Sequence, residues 1–522
     1  MGSVDGTGAA RGIVFPGDAA GGRSTTRAGA AIVAAALEPM SPAHAADARA
    51  ERHWRRRYPA HFRRLVEDGL AAPGRVVDGA RAGLDAAWST LCWADDAGEQ
   101  PLADAWPRLL AEAAPLHTAT LVGRGDPAPA PWVVPYRGDL LTADRLRAQI
   151  DDWGARGIVE PSAVRALHRC VAHPEWFDLS DRALVLLGAA SEAGPLGWLA
   201  RWRARLVAVD IDRPAPWQRV VRLVAEGNAT LLAPLRAPPA RGESAEGRLA
   251  HAGADLLRET PAIAAWVRAV TADGPAPDVA ALAYLDGERH VRVVLAMDAV
   301  QRAACASRRD AGLAFLATPT DVFAVPGETA RAALDAWAQR PAVSRALQGS
   351  LRLAAGERFF HPAVESLVRT PDGLDYGVVD CLVIEQGPNY ALAKRLQQWR
   401  ALAARAEGHR VSLNVAPSTT TASVVKNPAL AAGFAGADTF GIEVFEPATT
   451  NALMAALWVH DLRCTDCAAQ PGHRLAHPFE LFIDNAAHGG LWRSAYLPRS
   501  ALPFAAALGW VRQRGRALGA IE

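Results

Sequence analysis

Two residue types that this chain uses sparingly stand together. Its 56 lysine and arginine residues include only two lysines, Lys394 and Lys426, and it has only 6 tyrosines. One lysine follows one tyrosine by four positions, in Gly387-Pro388-Asn389-Tyr390-Ala391-Leu392-Ala393-Lys394. Chance gives roughly a 2% frequency for one such pair in a chain of this make-up, so the spacing merits a chemical reading. On a helix, residues i and i+4 share a face. A phenol beside an ammonium is expected to titrate below its ordinary value, because the cation favours the phenolate. A tyrosine tuned in this way passes a proton to or from a substrate oxygen near neutral pH. Arginine would keep the charge but not the compact three-donor head that can also bond a ribose. The bland alternative is a surface helix on which the two residues meet by accident.

The elements around the pair extend the pattern. Arg395 to Ala406 has helical periodicity, Gly408-His409 turns the chain, and Arg410 to Ala416 reads as a strand ended by Pro417 and followed by Ser418-Thr419-Thr420-Thr421. Upstream, Ala183 to Leu187 is a buried-strand run entering Gly188-Ala189-Ala190-Ser191-Glu192-Ala193-Gly194, with a helical stretch after it. A second strand, Arg205 to Val209, ends in Asp210. Glycines after a first strand let a backbone approach a pyrophosphate at a helix N-terminus, and an acid after the second strand suits ribose hydroxyls. A generic α/β turn or a methyl-donor site would share this second pattern.

Taken in order, these segments resemble the short-chain dehydrogenase/reductase family over roughly residues 180–515. The resemblance implies an α/β fold, a Rossmann-type doubly wound parallel sheet with an N-terminal mainly helical extension. It implies that Tyr390 is the catalytic acid/base and that Lys394 lowers its pKa and holds the nicotinamide ribose. Thr318 or Thr320, after an expected fifth strand at Leu313–Thr318, would hold the substrate oxygen. Gly188, Ser191, Gly194, Asp210, Lys394, Pro417, Thr419 and Thr420 would contact NAD or NADP, with Asp210 favouring NAD. Glu192 stands where the family has its middle glycine, and a carboxylate there is unfavourable beside a pyrophosphate unless it points away. His290 lies near the family's relay asparagine.

The same reading gives the organisation. Residues 1–45, rich in Gly, Ala and Ser, are expected to be disordered. Residues 46–178 are expected to be mainly helical, with no role legible. Residues 179–522 carry the sheet, with third and fourth strands at Ala229–Leu235 and Val279–Tyr284 and helices at Val291–Ala306 and from Pro447. An insertion falls at about 326–376, helical from Glu328 to Ala354. A rival alignment makes Val378–Ile384 the fifth strand. Glu480–Asp484 is expected to be the last strand.

Composition restricts the remaining choices. Hydrophobic residues make up 50% of 522 positions, enough for a large core and more than one domain. A formal net charge of +1 argues against nucleic acid as the main partner, and the basic stretch Arg52 to Tyr58 reads as a solvated helix face. No apolar run has the length of a membrane span. Arg27–Leu37 begins too late and lacks the basic start of a signal peptide. Six cysteines argue for a reducing, cytoplasmic setting rather than a disulfide framework. Cys464, Cys467, His473 and His477 are zinc-capable types at a spacing shorter than a zinc finger's, so no metal is expected. The expectation is an NAD(P)-dependent oxidoreductase acting on a small-molecule carbonyl/alcohol pair, as a homo-oligomer. A non-catalytic binding or regulatory protein on the same fold is the alternative.

Overall fold

Short runs of Val, Leu and Ala without polar alternation mark strands buried on both faces. In the computed structural model, which describes residues 11–17, 22–239, 242–356 and 358–519, six such runs pair in parallel. Strands β1 (His117–Val122), β2 (Arg182–Leu187), β3 (Arg205–Val209), β4 (Thr230–Leu235), β5 (Ala276–Ala281), β6 (Gly312–Ala317) and β7 (Val411–Val415) form one sheet, in the order β7-β6-β5-β2-β3-β4-β1. Only β1 is antiparallel, with His117 opposite Leu235. The chain winds outward from β2 through β3 to β4, then crosses back to β5 and winds the other way through β6 to β7. All six parallel strands therefore end at one edge, and Gly188 and Pro417 both lie there, as the sequence predicts.

Side-chain alternation sorts the strands onto two cores. Val185, Leu187, Val207, Val279 and Phe315 face one, with helices α1 (Thr25–Leu37), α2 (Val76–Thr90), α3 (Thr260–Val270), α4 (Glu288–Ser307) and α5 (Gly387–Ala406). Leu184, Leu186, Leu206, Ala280 and Ala314 face the other, with Ala143–Ala155, Pro161–Ala172, Pro214–Glu226 and α6 (Pro447–Arg463). The result is an α/β fold with helices on both faces of a mostly parallel sheet.

Several expectations need correction. The first 45 residues are not disordered where they are described. Ser24 caps α1 by accepting from the Arg27 amide, and Ile32, Val33 and Leu37 are fully buried. The alanine-rich run imitates low complexity, but its branched residues fall on one face. Residues 1–10 and 18–21, part of the same expectation, lie outside the described residues. Residues 46–178, expected to be mainly helical with no legible role, are joined to the sheet. They supply β1 to the sheet, and α2 packs so closely on α5 that a Cβ at Gly83 would sit 2.5 Å from the Trp399 ring. Helix α5 is consequently buried along nearly its whole length, between the sheet and the N-terminal helices.

The rival fifth strand is excluded. Asp375–Asp380 pairs antiparallel with Val322–Pro326 and Leu367–Arg369 in a separate small sheet, while Gly312–Ala317 sits between β5 and β7. The insertion holds the helices Gly327–Ala338 and Ala342–Ala354. The expected last strand at Glu480–Asp484 is instead a helical turn, Glu480–Ile483. A short apolar run does not distinguish strand from buried turn, and one backbone bond, from the Ala487 amide to the Val415 carbonyl, stands where a ladder was expected. Among the described residues no helix is long and apolar enough to cross a membrane.

Candidate active site

The site is built at the C-terminal edge of the sheet, from the ends of β6 and β5 and the first turns of α4 and α5. Pro388 stands at the start of α5, where its missing N–H costs nothing. Two turns of this helix then present Tyr390 and Lys394. The Thr318 and Thr320 hydroxyls, just past β6, lie 2.8 Å apart and against the Tyr390 phenol. Lys394 Nζ donates to the Leu316 carbonyl at 3.4 Å and to Gln397 Oε1 at 3.3 Å, and lies 5.9 Å from the Tyr390 ring centre. The structure thus brings together all four residues that the sequence assigned to catalysis.

It does not tune them as expected. Burial pushes the Tyr390 phenol up to about 12 rather than down; the Thr318 hydroxyl pulls it back, the Asp321 charge pushes it further up and the Thr320 hydroxyl pulls it back again. The cation beside it is itself depressed. Burial lowers Lys394 to about 8, against the opposing charge of Asp321. Desolvation dominates the phenol, and the Lys394 charge is not among the groups that move it. Asp321 is fully buried and holds Arg395 and Gln398, each at 2.8 Å, which fixes the helix turn that carries Lys394.

His290 is the residue that sequence reasoning underweighted. It sits on the first turn of α4, 1% exposed, and its ring stacks on Tyr390 at 5.5 Å and tilts against Tyr284 at 4.7 Å. Neither ring nitrogen has a hydrogen-bond partner among the described residues. Burial, then the Lys394 charge, holds it well below its ordinary pKa, so it is a neutral imidazole. The available signal was its place at the head of the helix following β5.

The other half of this sheet edge differs. Gly188 has φ +92, and a Cβ there would meet the Ala283 amide at 2.5 Å, so only glycine lets the turns after β2 and β5 touch. Ser191 and Gly194 continue this turn through Ser191 N to the Gly188 carbonyl and Gly194 N to the Ser191 carbonyl, both at 3.0 Å. The helix expected after it is a single turn, Leu196–Leu199. Asp210 accepts from the Ala190 and Ile211 amides, both at 2.8 Å, and burial raises its pKa against these two bonds. The carboxylate expected at a ribose thus already buttresses the turn. Glu192 points across the crevice: its Oε2 accepts from the Ala422 amide at 2.8 Å, and its carbonyl accepts from Asn451 Nδ2 at 3.0 Å. Pro417 is buried at the end of β7. Thr419 Oγ1 bonds the Pro417 carbonyl and Thr450, and Thr420 bonds the Phe445 carbonyl through both its amide and its hydroxyl.

The four zinc-capable residues named together do not converge. Cys464 Sγ accepts from Arg169 at 3.0 Å, and His473 pairs with Asp466 at 2.8 Å. His477 contacts the Gly69 carbonyl through Nε2 and accepts from the Phe479 amide at Nδ1. No family model, no curated protein and no solved structure matches this chain.

Proposed function

We propose that this chain is an NAD(P)-dependent oxidoreductase of the short-chain dehydrogenase/reductase type, on a Rossmann-type doubly wound sheet, interconverting a carbonyl and an alcohol on a small molecule. The observation that carries the reading is the convergence of Tyr390, Lys394, Thr318 and Thr320 at the C-terminal edge of a sheet whose order reverses between β2 and β5. Outside the strand ends at such a reversal is where sheets of this kind take their ligands.

In this reading the residues divide the work. Thr318 and Thr320 orient the substrate oxygen toward the phenol. Tyr390 gives its proton to that oxygen, and a phenol at about 12 is a competent donor, whereas reprotonation must come from a neighbour. Lys394, cationic below about pH 8, offers donors to a ribose. A bound nicotinamide would supply the hydride. The residues fit such a cofactor unequally. The nicotinamide end has free chemistry in Lys394 and His290, whereas at the pyrophosphate end Glu192 and Asn451 bridge the crevice and Asp210 is already bonded. Cofactor entry on this account requires Glu192 to release Ala422. NAD is favoured over NADP because Asp210 repels a further phosphate. Six unpaired cysteines suit a cytoplasmic setting.

The bridged pyrophosphate end, with a single helical turn behind it, favours the second reading: a binding or regulatory protein that retains the geometry without turnover. Fluorescence titration with NADH and NADPH, followed by NADH-oxidation assays against a panel of aldehydes and ketones, separates the two. Binding with turnover supports the oxidoreductase, binding without turnover the second reading, and absence of binding removes both forms of the cofactor proposal.

A further inference from the structure

Five aspartates are deeply buried among the described residues: Asp278, Asp298, Asp321, Asp380 and Asp461. Four have an arginine partner. Arg410 holds Asp278 at 2.7 Å, Arg400 holds Asp298 at 2.5 Å, Arg395 holds Asp321 at 2.8 Å and Arg499 holds Asp380 at 2.7 Å. Removing a carboxylate from water is costly unless a cation or hydrogen bonds compensate. Asp461 has no arginine or lysine partner among the described residues; its one ion-pair neighbour is His460 at 3.2 Å. A second carboxylate, Asp484, lies close enough to feel its charge.

The last turn of α6 carries His460 and Asp461, and the chain then turns through Cys464 so that Cys467 folds back on them. One donor atom from each of His460, Asp461 and Cys467 lies within 4.8 Å of the other two, and all three residues are buried. We propose that His460, Asp461 and Cys467 form a binding site for a divalent transition-metal ion of the zinc class. On a tetrahedral ion with bonds of about 2.0–2.3 Å, ligand atoms stand roughly 3.3–3.8 Å apart, so closure takes about 1 Å of side-chain adjustment. A mixed nitrogen, oxygen and sulfur set suits zinc or cobalt and not magnesium or calcium, which avoid thiolate. The Asp461 carboxylate is already oriented: Oδ2 accepts from Ser412 at 2.7 Å and Asn414 at 2.8 Å, and Oδ1 accepts from Asn485 at 3.1 Å. Hydrogen-bonded carboxylates of this kind are characteristic of metal ligands. Binding releases the Cys467 proton to solvent and replaces the missing cation beside Asp461. Because Ser412 and Asn414 belong to β7, the ion would clamp that strand to α6. The competing role is a purely hydrogen-bonded anchor between the same two elements.

The test uses the full chain, stripped with a chelator and reloaded with zinc or cobalt(II). The expected result is about one equivalent of zinc retained through gel filtration, a higher Tm with zinc than without, and a thiolate-to-cobalt charge-transfer band in the near ultraviolet. Cys467→Ser should lose the band, while Cys464→Ser should keep it. If Cys467→Ser does not fold, the wild-type cobalt spectrum and Cys464→Ser still decide. No retained metal with an unchanged Tm, cobalt bound without a thiolate band, a band that persists in Cys467→Ser, or one that vanishes in Cys464→Ser overturns the proposal.

Discussion

The two ends of the crevice above the sheet are built on different principles. At one end Tyr390, Thr318 and Thr320 bond one another beside two groups with partners to spare: among the described residues His290 has no hydrogen-bond partner, and Lys394 makes two long contacts. At the other, Asp210 and Glu192 spend their carboxylates on the protein's own amides. Polar groups left short of partners in a buried place are costly, and their persistence points to a ligand. Polar groups already satisfied must exchange one bond for another when a ligand arrives. On the proposed reading, the first end does the chemistry and the second restrains access to it.

The largest expected effect breaks the first end. Tyr390→Phe keeps the ring against His290 and removes only the proton-bearing oxygen. Turnover should fall by ~10²–10⁴ while NADH affinity holds, as read by steady-state kinetics beside a binding titration. Equal loss of binding and turnover would mean that the phenol is structural.

Next comes the support beneath that end. Arg395→Met leaves Asp321 charged and buried with Gln398 alone among its side-chain partners. Breaking one member of a buried pair costs about 3–5 kcal/mol, which denaturant unfolding should register. A small change would show that Asp321 is neutral in the fold.

The buried Glu160 carboxylate offers a pH test. Burial alone would raise Glu160, but the His488 hydrogen bond and charge, then those of Arg493, hold it down to about 2. A depressed carboxylate contributes stability that is fully present above its unfolded value of 4.5 and is lost as pH falls through the folded one. The advantage of wild type over Glu160→Gln should shrink as pH falls between 4.5 and 2. Urea midpoints across that range check it, and a constant advantage would contradict the assignment.

The smallest effect sharpens the second end. Glu192→Gly removes the bond to Ala422 and restores a glycine beside the pyrophosphate position. One hydrogen bond is worth about 1 kcal/mol net, so NADH affinity should rise about fivefold. Weaker binding would assign Glu192 to the ligand rather than to a latch.

The parts of this account that were legible in the sequence are those with strong local periodicity. Strands β2 to β7, helix α5 and the pairing of Tyr390 with Lys394 follow from apolar runs, helical periodicity and a rare spacing. What escaped depends on distant packing. Nothing local to His117–Val122 announces an edge strand, since its partner is β4, more than a hundred residues later. The upward shift of Tyr390 depends on burial, which no local spacing encodes. The sequence groups Cys467 with Cys464, His473 and His477, but the donor pair within 4.8 Å of it is His460 and Asp461, upstream on the last turn of α6. Chain reversal, which spacing does not encode, brings it there.

The central claim is that a nicotinamide cofactor occupies the crevice with its ribose on Lys394. Thermal unfolding with and without saturating NADH, NADPH and S-adenosylmethionine tests it most directly, because a ligand that binds only the native state raises Tm. The account predicts that NADH raises the Tm of the wild type, that S-adenosylmethionine does not, and that Lys394→Arg loses most of the NADH shift. No shift with either nicotinamide, or an equal shift in Lys394→Arg, would contradict it.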